Sequence, residues 1–260
     1  MTHISFSEFK NWIQCPFYHK LVNIDKIKLF KGNEYTAFGT AIHDTCEKML
    51  LTGSTNVDPG PYFFEKFISS IEDLMIKNVD LNSKLINDLE KQGKNLSPLI
   101  MPATKEFFGN YKVVGTEIAL YEPMREITSD PDYRFKGYVD AVIKTDDGKY
   151  HLIDWKTCSW GWDAKKRSDK ILAYQLVFYK HFFAKKHGID PKNIETYFAL
   201  LKRTAKKDNV EFFRVTSGDK KTKNALNLLR KSLHNIKKKI HIKNRLSCTR
   251  CEFYKTEHCY

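Results

Sequence analysis

Apolar positions at the start of the chain recur with helical spacing: Phe6, Phe9, Trp12 and Ile13 share one face. Ser5, with Glu8 three positions later, is a capping-box pattern that opens this first helix. Pro16 directly follows Cys15 and bends the chain there. After a basic, loop-like stretch over 26–33, a second helix starts near Tyr35 and carries Phe38, Ile42, Cys46 and Leu50 at four-residue spacing. Residues 52–61 are rich in Gly and Pro and predict a loop. From Tyr62 to Phe108 the period is helical again, with Phe64, Phe67, Ile71 and Met75 as its stripe.

The period then changes. Segments 113–120, 133–144 and 150–156 are rich in Val, Ile, Tyr and Phe and predict strands. Thr145-Asp146-Asp147-Gly148 is a turn that joins the last two as a hairpin. A periodic helix covers about 168–187, with Gly188 as its stop. Strands near 196–202 and 210–216 precede a basic helix over about 220–239. This order predicts an α/β fold, a mixed central sheet flanked by helices, with no internal repeat and no low-complexity tract.

Composition narrows the function. The chain has 260 residues, and 42% hydrophobic with 13% aromatic residues is enough for a sizeable core. No run approaches the roughly 18 apolar residues of a membrane span, so no membrane association is expected. Met1-Thr2-His3-Ile4-Ser5 has neither the basic nor the apolar segment of a secretory leader. The expected location is the cytoplasm, or a host's cytoplasm if the chain is viral. Forty-four Lys and Arg against 31 Asp and Glu leave a net charge of +13, which points to a polyanionic partner. Only eight of those cations are Arg, so a solvated Lys-rich surface is the competing explanation. Residues 220–245 hold ten Lys or Arg and no acid. Ala225, Leu229, Leu233, Ile236 and Ile240 mark the buried face of that helix, and Lys237, Lys238 and Lys239 are its candidate phosphate contacts.

Candidate chemistry gathers on the hairpin. Side chains alternate along a strand, so Asp154 and Lys156 share a face, and the turn brings Asp140 beside them. Two carboxylates so placed repel unless a cation lies between them, and Mg²⁺ suits carboxylate and phosphate oxygens. A lysine there can stabilise negative charge developing on phosphorus. The plainer alternative is a surface hairpin with ordinary ion pairs. His43 lies one turn past Gly39 on the second helix, and Gln175 and Tyr179 share a face of the helix after the Asp-x-Lys strand. Six cysteines in an intracellular chain suit metal ligation or core packing better than disulfides. Cys248, Cys251 and Cys259 crowd the last 13 residues. Cys46 and Cys158 lack partners at ligand spacing and are expected in the core or near the site.

In order along the chain come His43, Gly137-x-x-Asp140, Asp154-x-Lys156 and Gln175-x-x-x-Tyr179. This ordered set, over about 38–180, resembles the PD-(D/E)XK nuclease superfamily, and within it the RecB-like exonuclease branch. The resemblance implies a restriction-endonuclease-like core with Mg²⁺ or Mn²⁺ held by His43, Asp140, Asp154 and the Trp155 carbonyl. It implies catalytic roles for Asp140, Asp154, Lys156, Gln175 and Tyr179. Glu117 could aid the metal in the family's manner, but an ordinary strand-face acid is the expectation. Iron–sulfur members of the branch, the AddB-type recombination subunits and CRISPR-adaptation nucleases, place one cysteine before the core and three after it. Cys15, Cys248, Cys251 and Cys259 are similar in order, which implies a [4Fe–4S] cluster with Zn²⁺ as the alternative. The seven-residue gap before Cys259 leaves His258 as an alternative ligand.

The implied organisation is one nuclease domain over 1–260. It has cluster-binding termini at 1–20 and 245–260 clasped by the cysteines, a helical insertion at 62–108, and a catalytic sheet and helix at 110–216. The implied partner is DNA, as single strands or duplex ends. The implied reaction is phosphodiester hydrolysis in recombination, repair or phage DNA processing. No P-loop motif is present, so a helicase or recombination partner would be a separate chain. The competing class is an iron–sulfur or zinc DNA-end-binding module without catalysis.

Overall fold

The computed structural model describes residues 3–52 and 57–260. Part of the expected 52–61 loop, and the first two residues of the leader comparison, lie outside them. The chain divides into two compact units: Met1–Phe30, Ala119–Gly137 and Ser217–Tyr260 form the first, and Lys31–Ile118 and Tyr138–Thr216 the second. No helix among the described residues is long and apolar enough to cross a membrane.

In chain order the elements begin with strand β1 (His3–Ser5), helices α1 (Phe6–Gln14) and α2 (Pro16–His19), and a π-helical turn (Lys20–Ile24). Helices α3 (Glu34–Thr52), α4 (Pro59–Ile76) and α5 (Ser83–Phe108) follow, then strands β2 (Tyr111–Pro123), β3 (Arg134–Thr145) and β4 (Tyr150–Cys158). After the single turn α6 (Ala164–Arg167) come α7 (Lys170–His187), β5 (Ile194–Lys202), β6 (Val210–Arg214) and α8 (Asp219–Lys237).

The first unit joins both ends of the chain. Ser5 caps α1 by accepting from the Glu8 N–H at 3.1 Å, but the Glu8 carboxylate turns to the buried His19 ring at 3.0 Å. Only half of the capping box therefore forms. Strand β1 runs parallel to the start of β3, from His3 opposite Arg134 to Ser5 opposite Lys136. Phe6 and Phe9 of α1 and Ala225, Leu229 and Leu233 of α8 are buried. Ile240, expected on the same buried face, is exposed because α8 ends at Lys237 and Lys239 takes a left-handed φ of 55°.

The second unit holds the mixed sheet. Strands β3 and β4 are antiparallel, β4 and β5 parallel, and β5 and β6 antiparallel, while β2 also pairs with β3. The β3–β4 turn closes through Gly148, whose φ of 81° is left-handed, with its N–H donating to the Thr145 carbonyl at 2.9 Å. Helices α3, α4 and α5 cover one sheet face, packing with Ala141, Ile143, Ile153 and Trp155. Helix α7 meets the opposite parity of β4, where Gln175 reaches Asp154.

Two boundaries and one buried stripe differ from the periodicity. Helix α4 begins at Pro59, inside the expected loop, because a proline in the first turn needs no intrahelical N–H partner and Asp58 caps the end. Its buried stripe is Phe63, Phe67, Ile71 and Leu74, so Met75 is 62% exposed and Phe64 lies under the Lys94 ammonium. Helix α7 starts two residues late, since Asp169 accepts from the Ile171 and Leu172 N–H groups as its cap.

Phe63 is fully buried, in edge contact with Phe38 at 5.3 Å and stacked on Phe67 at 5.6 Å. Gly93 of α5 lies against it, and an added Cβ would run into the ring. Helix propensity alone would make Gly93→Ala stabilising by about 1 kcal/mol. Overpacking of a full core costs about 1–3 kcal/mol, so the expected net effect is a loss of up to about 2 kcal/mol. The urea midpoint of the variant measures it.

Candidate active site

The β3–β4 ladder is regular up to Ala141 opposite Ile153, and Asp140 and Asp154 follow as the next residue of each strand. There the carboxylate enters the backbone pattern: Asp140 Oδ2 accepts the Trp155 N–H at 2.8 Å. The Trp155 carbonyl accepts from His43 Nε2 at 2.9 Å. A carbonyl only accepts, so the imidazole proton sits on Nε2 and Nδ1 keeps its lone pair. That Nδ1 stands 3.5 Å from Asp140 Oδ2, which brings two electron-rich atoms close together. A carbonyl that takes the proton of the far ring nitrogen and so fixes the tautomer is the usual arrangement around a metal-ligating histidine.

Glu117 completes the group. It sits in β2 with a left-handed φ of 46°, a conformation that costs a non-glycine residue of order 1–3 kcal/mol. One ligand atom each from His43, Glu117 and Asp140 lies within 4.8 Å of the others. Glu117, expected as an ordinary strand-face acid, thus stands beside His43 and Asp140 as a candidate ligand. Gly115 interrupting the strand pattern was the available signal, since an isolated strand glycine marks a bulge.

Electrostatics agree with the geometry. Burial, then the Asp154 charge, pushes the Asp140 pKa well above the ordinary carboxylate range, and Lys156 and the Trp155 N–H only partly offset this. Glu117 is raised by burial and by Glu47, Asp44 and Asp154. Burial lowers His43, which keeps its ring neutral and able to ligate. Asp154, 1% exposed, receives Gln175 Nε2 at 2.6 Å on Oδ1 and forms an ion pair with Lys156 through Oδ2. Burial opposes the Lys156 charge, but Asp154 and Asp140 outweigh it and raise its pKa. Gln175 also donates to the Tyr179 hydroxyl at 3.4 Å, and burial followed by the Asp154 charge raises that phenol's pKa, keeping it protonated.

All the residues expected at the nuclease site thus lie in the second unit, in one connected set. Without a metal, the Trp155 carbonyl accepts from His43, and the Asp154 oxygens meet Gln175 and Lys156. The cysteines Cys15, Cys248, Cys251 and Cys259 lie in the first unit, all as free thiols. Burial raises the Cys251 pKa, the Phe253 N–H opposes, and the neighbouring Cys259, Cys15 and Cys248 raise it further. The Asn244 N–H donates to Cys15 Sγ at 3.2 Å. His258 is engaged with Glu257 at 3.5 Å and with the Phe253 ring. Lys237 is bound to Asp130 at 3.0 Å and Thr128 at 3.1 Å, whereas Lys238 and Lys239 are exposed.

A sequence model of the PD-(D/E)XK nuclease superfamily matches residues 3–256. The chain belongs to the PD-(D/E)XK nuclease superfamily. No curated protein matches it by sequence. Among solved structures, a protein from Eubacterium rectale described as a "putative exonuclease" superposes with a TM-score of 0.59 at 10% identity, over 96% of this chain and 86% of that one. At that identity the likeness is one of fold. A protein designated SSO0001 gives a TM-score of 0.38 at 14% identity, over 92% and 91% of the two chains, too low a score to support any argument. Nucleases of this superfamily generally use divalent metals, and the donors of His43, Glu117 and Asp140 fit one: a neutral imidazole and two carboxylates whose charge is unfavourable without a cation.

In metal-free protein, Asp140→Asn should raise the melting temperature, because it removes a destabilised charge and keeps an oxygen for the Trp155 N–H. The sign depends on pH. A carboxyl with a raised folded pKa contributes stability at low pH and loses it as pH rises through that value. The benefit of Asn should therefore grow from acid to neutral pH in EDTA, and thermal melts across that range measure it.

Proposed function

We propose that this nuclease is a Mg²⁺- or Mn²⁺-dependent deoxyribonuclease of the RecB-like branch, hydrolysing DNA from its ends. The observation that carries the proposal is the convergence of His43, Glu117 and Asp140 beside the buried Asp154–Lys156 ion pair. Asp154 is the further acid that would join these ligands. A cation bound there supplies Lewis-acid polarisation of a phosphodiester and neutralises charge developing on it. Lys156 would orient the attacking water and stabilise the same charge through its ammonium. Gln175 holds Asp154 in place, and Tyr179 holds Gln175. Lys238 and Lys239 would contact phosphates, whereas Lys237 is tied to Asp130. The exonuclease description of the Eubacterium rectale protein is in keeping with this reading.

The experiment is cleavage of 5′- and 3′-labelled DNA with each metal and with EDTA. Lys156→Ala should lower the rate on the order of 10²–10³-fold, comparable to removing one electrostatic stabiliser. Asp154→Ala should abolish cleavage but leave DNA binding intact. His43→Ala should be partly rescued by Mn²⁺, which binds such donors more tightly than Mg²⁺. Wild-type protein that binds DNA and never cuts it would overturn the proposal in favour of a binding module.

The proposal includes a [4Fe–4S] cluster on Cys15, Cys248, Cys251 and Cys259. Its support is the proximity of three thiols to Cys251, which makes four thiolates unfavourable together unless a cationic centre joins them. Such a site would tie the two ends of the chain within the first unit. Anaerobically purified protein should be brown, with absorbance near ~400 nm, and Cys15→Ala or Cys251→Ala should remove the colour. Colourless protein with one zinc per chain would replace iron by zinc.

A further inference from the structure

Strand β4 continues past Lys156 into a cavity that the catalytic set does not use. It measures about 380 Å³ and is lined by residues that include Tyr35, Thr157, Ser159, Trp160, Lys166 and Arg203, all in the second unit. That volume is within the range of small-ligand sites. Three features mark it as built for a ligand rather than left over from packing.

The first is Trp160, 76% exposed and without a ring partner among the described residues. Gly161 explains how it is held outward. Its φ of 117° is open to glycine, and a Cβ there would press on the Lys202 side chain at 3.3 Å. The turn sends Trp162 the other way, into the core against Phe198 at 5.0 Å. One tryptophan anchors the loop and the other is presented to solvent.

The second feature is charge. Arg167 and Lys202 are both paired with Glu211, at 2.7 Å and 3.5 Å. Lys166 and Arg203 have no carboxylate partner among the described residues. Arg203 is nonetheless fixed in place, donating to Ser159 Oγ at 2.7 Å and lying 5.0 Å over the Tyr35 ring. The Lys166 ammonium lies 4.8 Å over the Trp162 ring. Two cations without anions suit a phosphate.

The third is alignment with the catalytic residues. Tyr35, Gly39 and His43 are four residues apart on α3 and share one face. Gly39 passes Thr157, where a Cβ would stand 3.7 Å from its hydroxyl. One helix face therefore runs about 12 Å, at about 1.5 Å per residue, from the cavity to the metal ligands.

We propose that this cavity binds an unpaired nucleotide of the strand being cut, its base stacked on Trp160 and Tyr35 and its phosphate between Lys166 and Arg203. The inference rests on the nuclease reading and deepens it: the substrate is a single strand or a frayed end. A base inside a duplex is stacked on both faces and offers no surface to an indole, whereas an unpaired base stacks on any aromatic ring without sequence preference.

The test is binding in EDTA, where no cleavage occurs, by anisotropy of labelled oligothymidylate and of a blunt-ended duplex. Trp160→Ala should weaken single-strand binding about 10-fold and duplex binding less than about twofold, while Trp160→Phe keeps most of the affinity. Arg203→Gln should flatten the salt dependence of single-strand binding by about 0.7 in log–log slope. The exposure of Trp160 makes a folding defect unexpected, and unchanged melting temperatures check this. An equal loss with oligouridylate would support the same pocket accepting either sugar. Single-strand affinity within about twofold of wild type for Trp160→Ala, or an equal loss for both DNAs, would overturn the pocket. Protein that cuts DNA but shows no Trp160 dependence loses only the pocket. Protein that shows the dependence but never cuts loses only the nuclease reading.

Discussion

Asp140 and Asp154 lie just beyond the last paired register of the β3–β4 hairpin, Ala141 with Ile153, and the repulsion of Asp140 by the Asp154 charge sets the terms for the side chains around them. Water is excluded from Asp154, so its charge must be met within the protein. Lys156 meets it on one oxygen and Gln175 on the other. Among the described residues Asp140 is left with one N–H donor, from Trp155, and with the lone pair of His43. The Lys156 charge is too far committed to Asp154 to neutralise both acids. Without a cation, burial and the Asp154 charge push Asp140 toward its protonated form, and Glu117, held there by a strained backbone, is pushed the same way. Strain and repulsion of this kind persist only where the surrounding fold overdetermines them, and they concentrate at functional sites.

The two faces of the sheet divide the work. The α3–α5 side is an aromatic and aliphatic core in which Phe38, Phe63 and Phe67 lock the helices together. That packing fixes the rotation of α3 and hence delivers His43, one of its half-buried residues, to the Trp155 carbonyl. On the other side α7 is mostly apolar, with Gln175 the polar interruption that Asp154 requires. The same α3 face continues to Tyr35, so one helix serves both the candidate metal group and the cavity beyond Lys156.

In the first unit a different constraint operates. Cys15 precedes the catalytic segments and Cys248, Cys251 and Cys259 follow them, yet all four share one unit with α1 and α8. Asn244 ties the ends together, its side chain donating to the Gln14 carbonyl at 2.9 Å and its backbone to Cys15 Sγ. Tyr18, donating to Glu252 at 3.0 Å, adds a further link, and burial followed by that carboxylate raises its pKa to about 12, so the contact holds across the neutral range.

Much of this was legible in the chain itself. Local rules decide where strands begin and turn, so period-two alternation around Thr145–Gly148 located the hairpin and set Asp140, Asp154 and Lys156 together. Four-residue spacing likewise located α3 and the shared face of Gln175 and Tyr179. The α/β class followed from element order, and the family from the ordered motif. Tertiary structure alone decided the rest. Phe63 rather than Phe64 faces the core because α4 must accommodate Gly93 of α5, a contact about 30 residues away in sequence. Lys237 looks like any other basic residue until Asp130 comes to meet it. Glu117 became part of the site through one left-handed residue in β2, a backbone choice that propensity disfavours. Periodicity reports which face a side chain prefers, but a charge placed against its preference, or paired across distant segments, is decided only by what the folded chain puts opposite it.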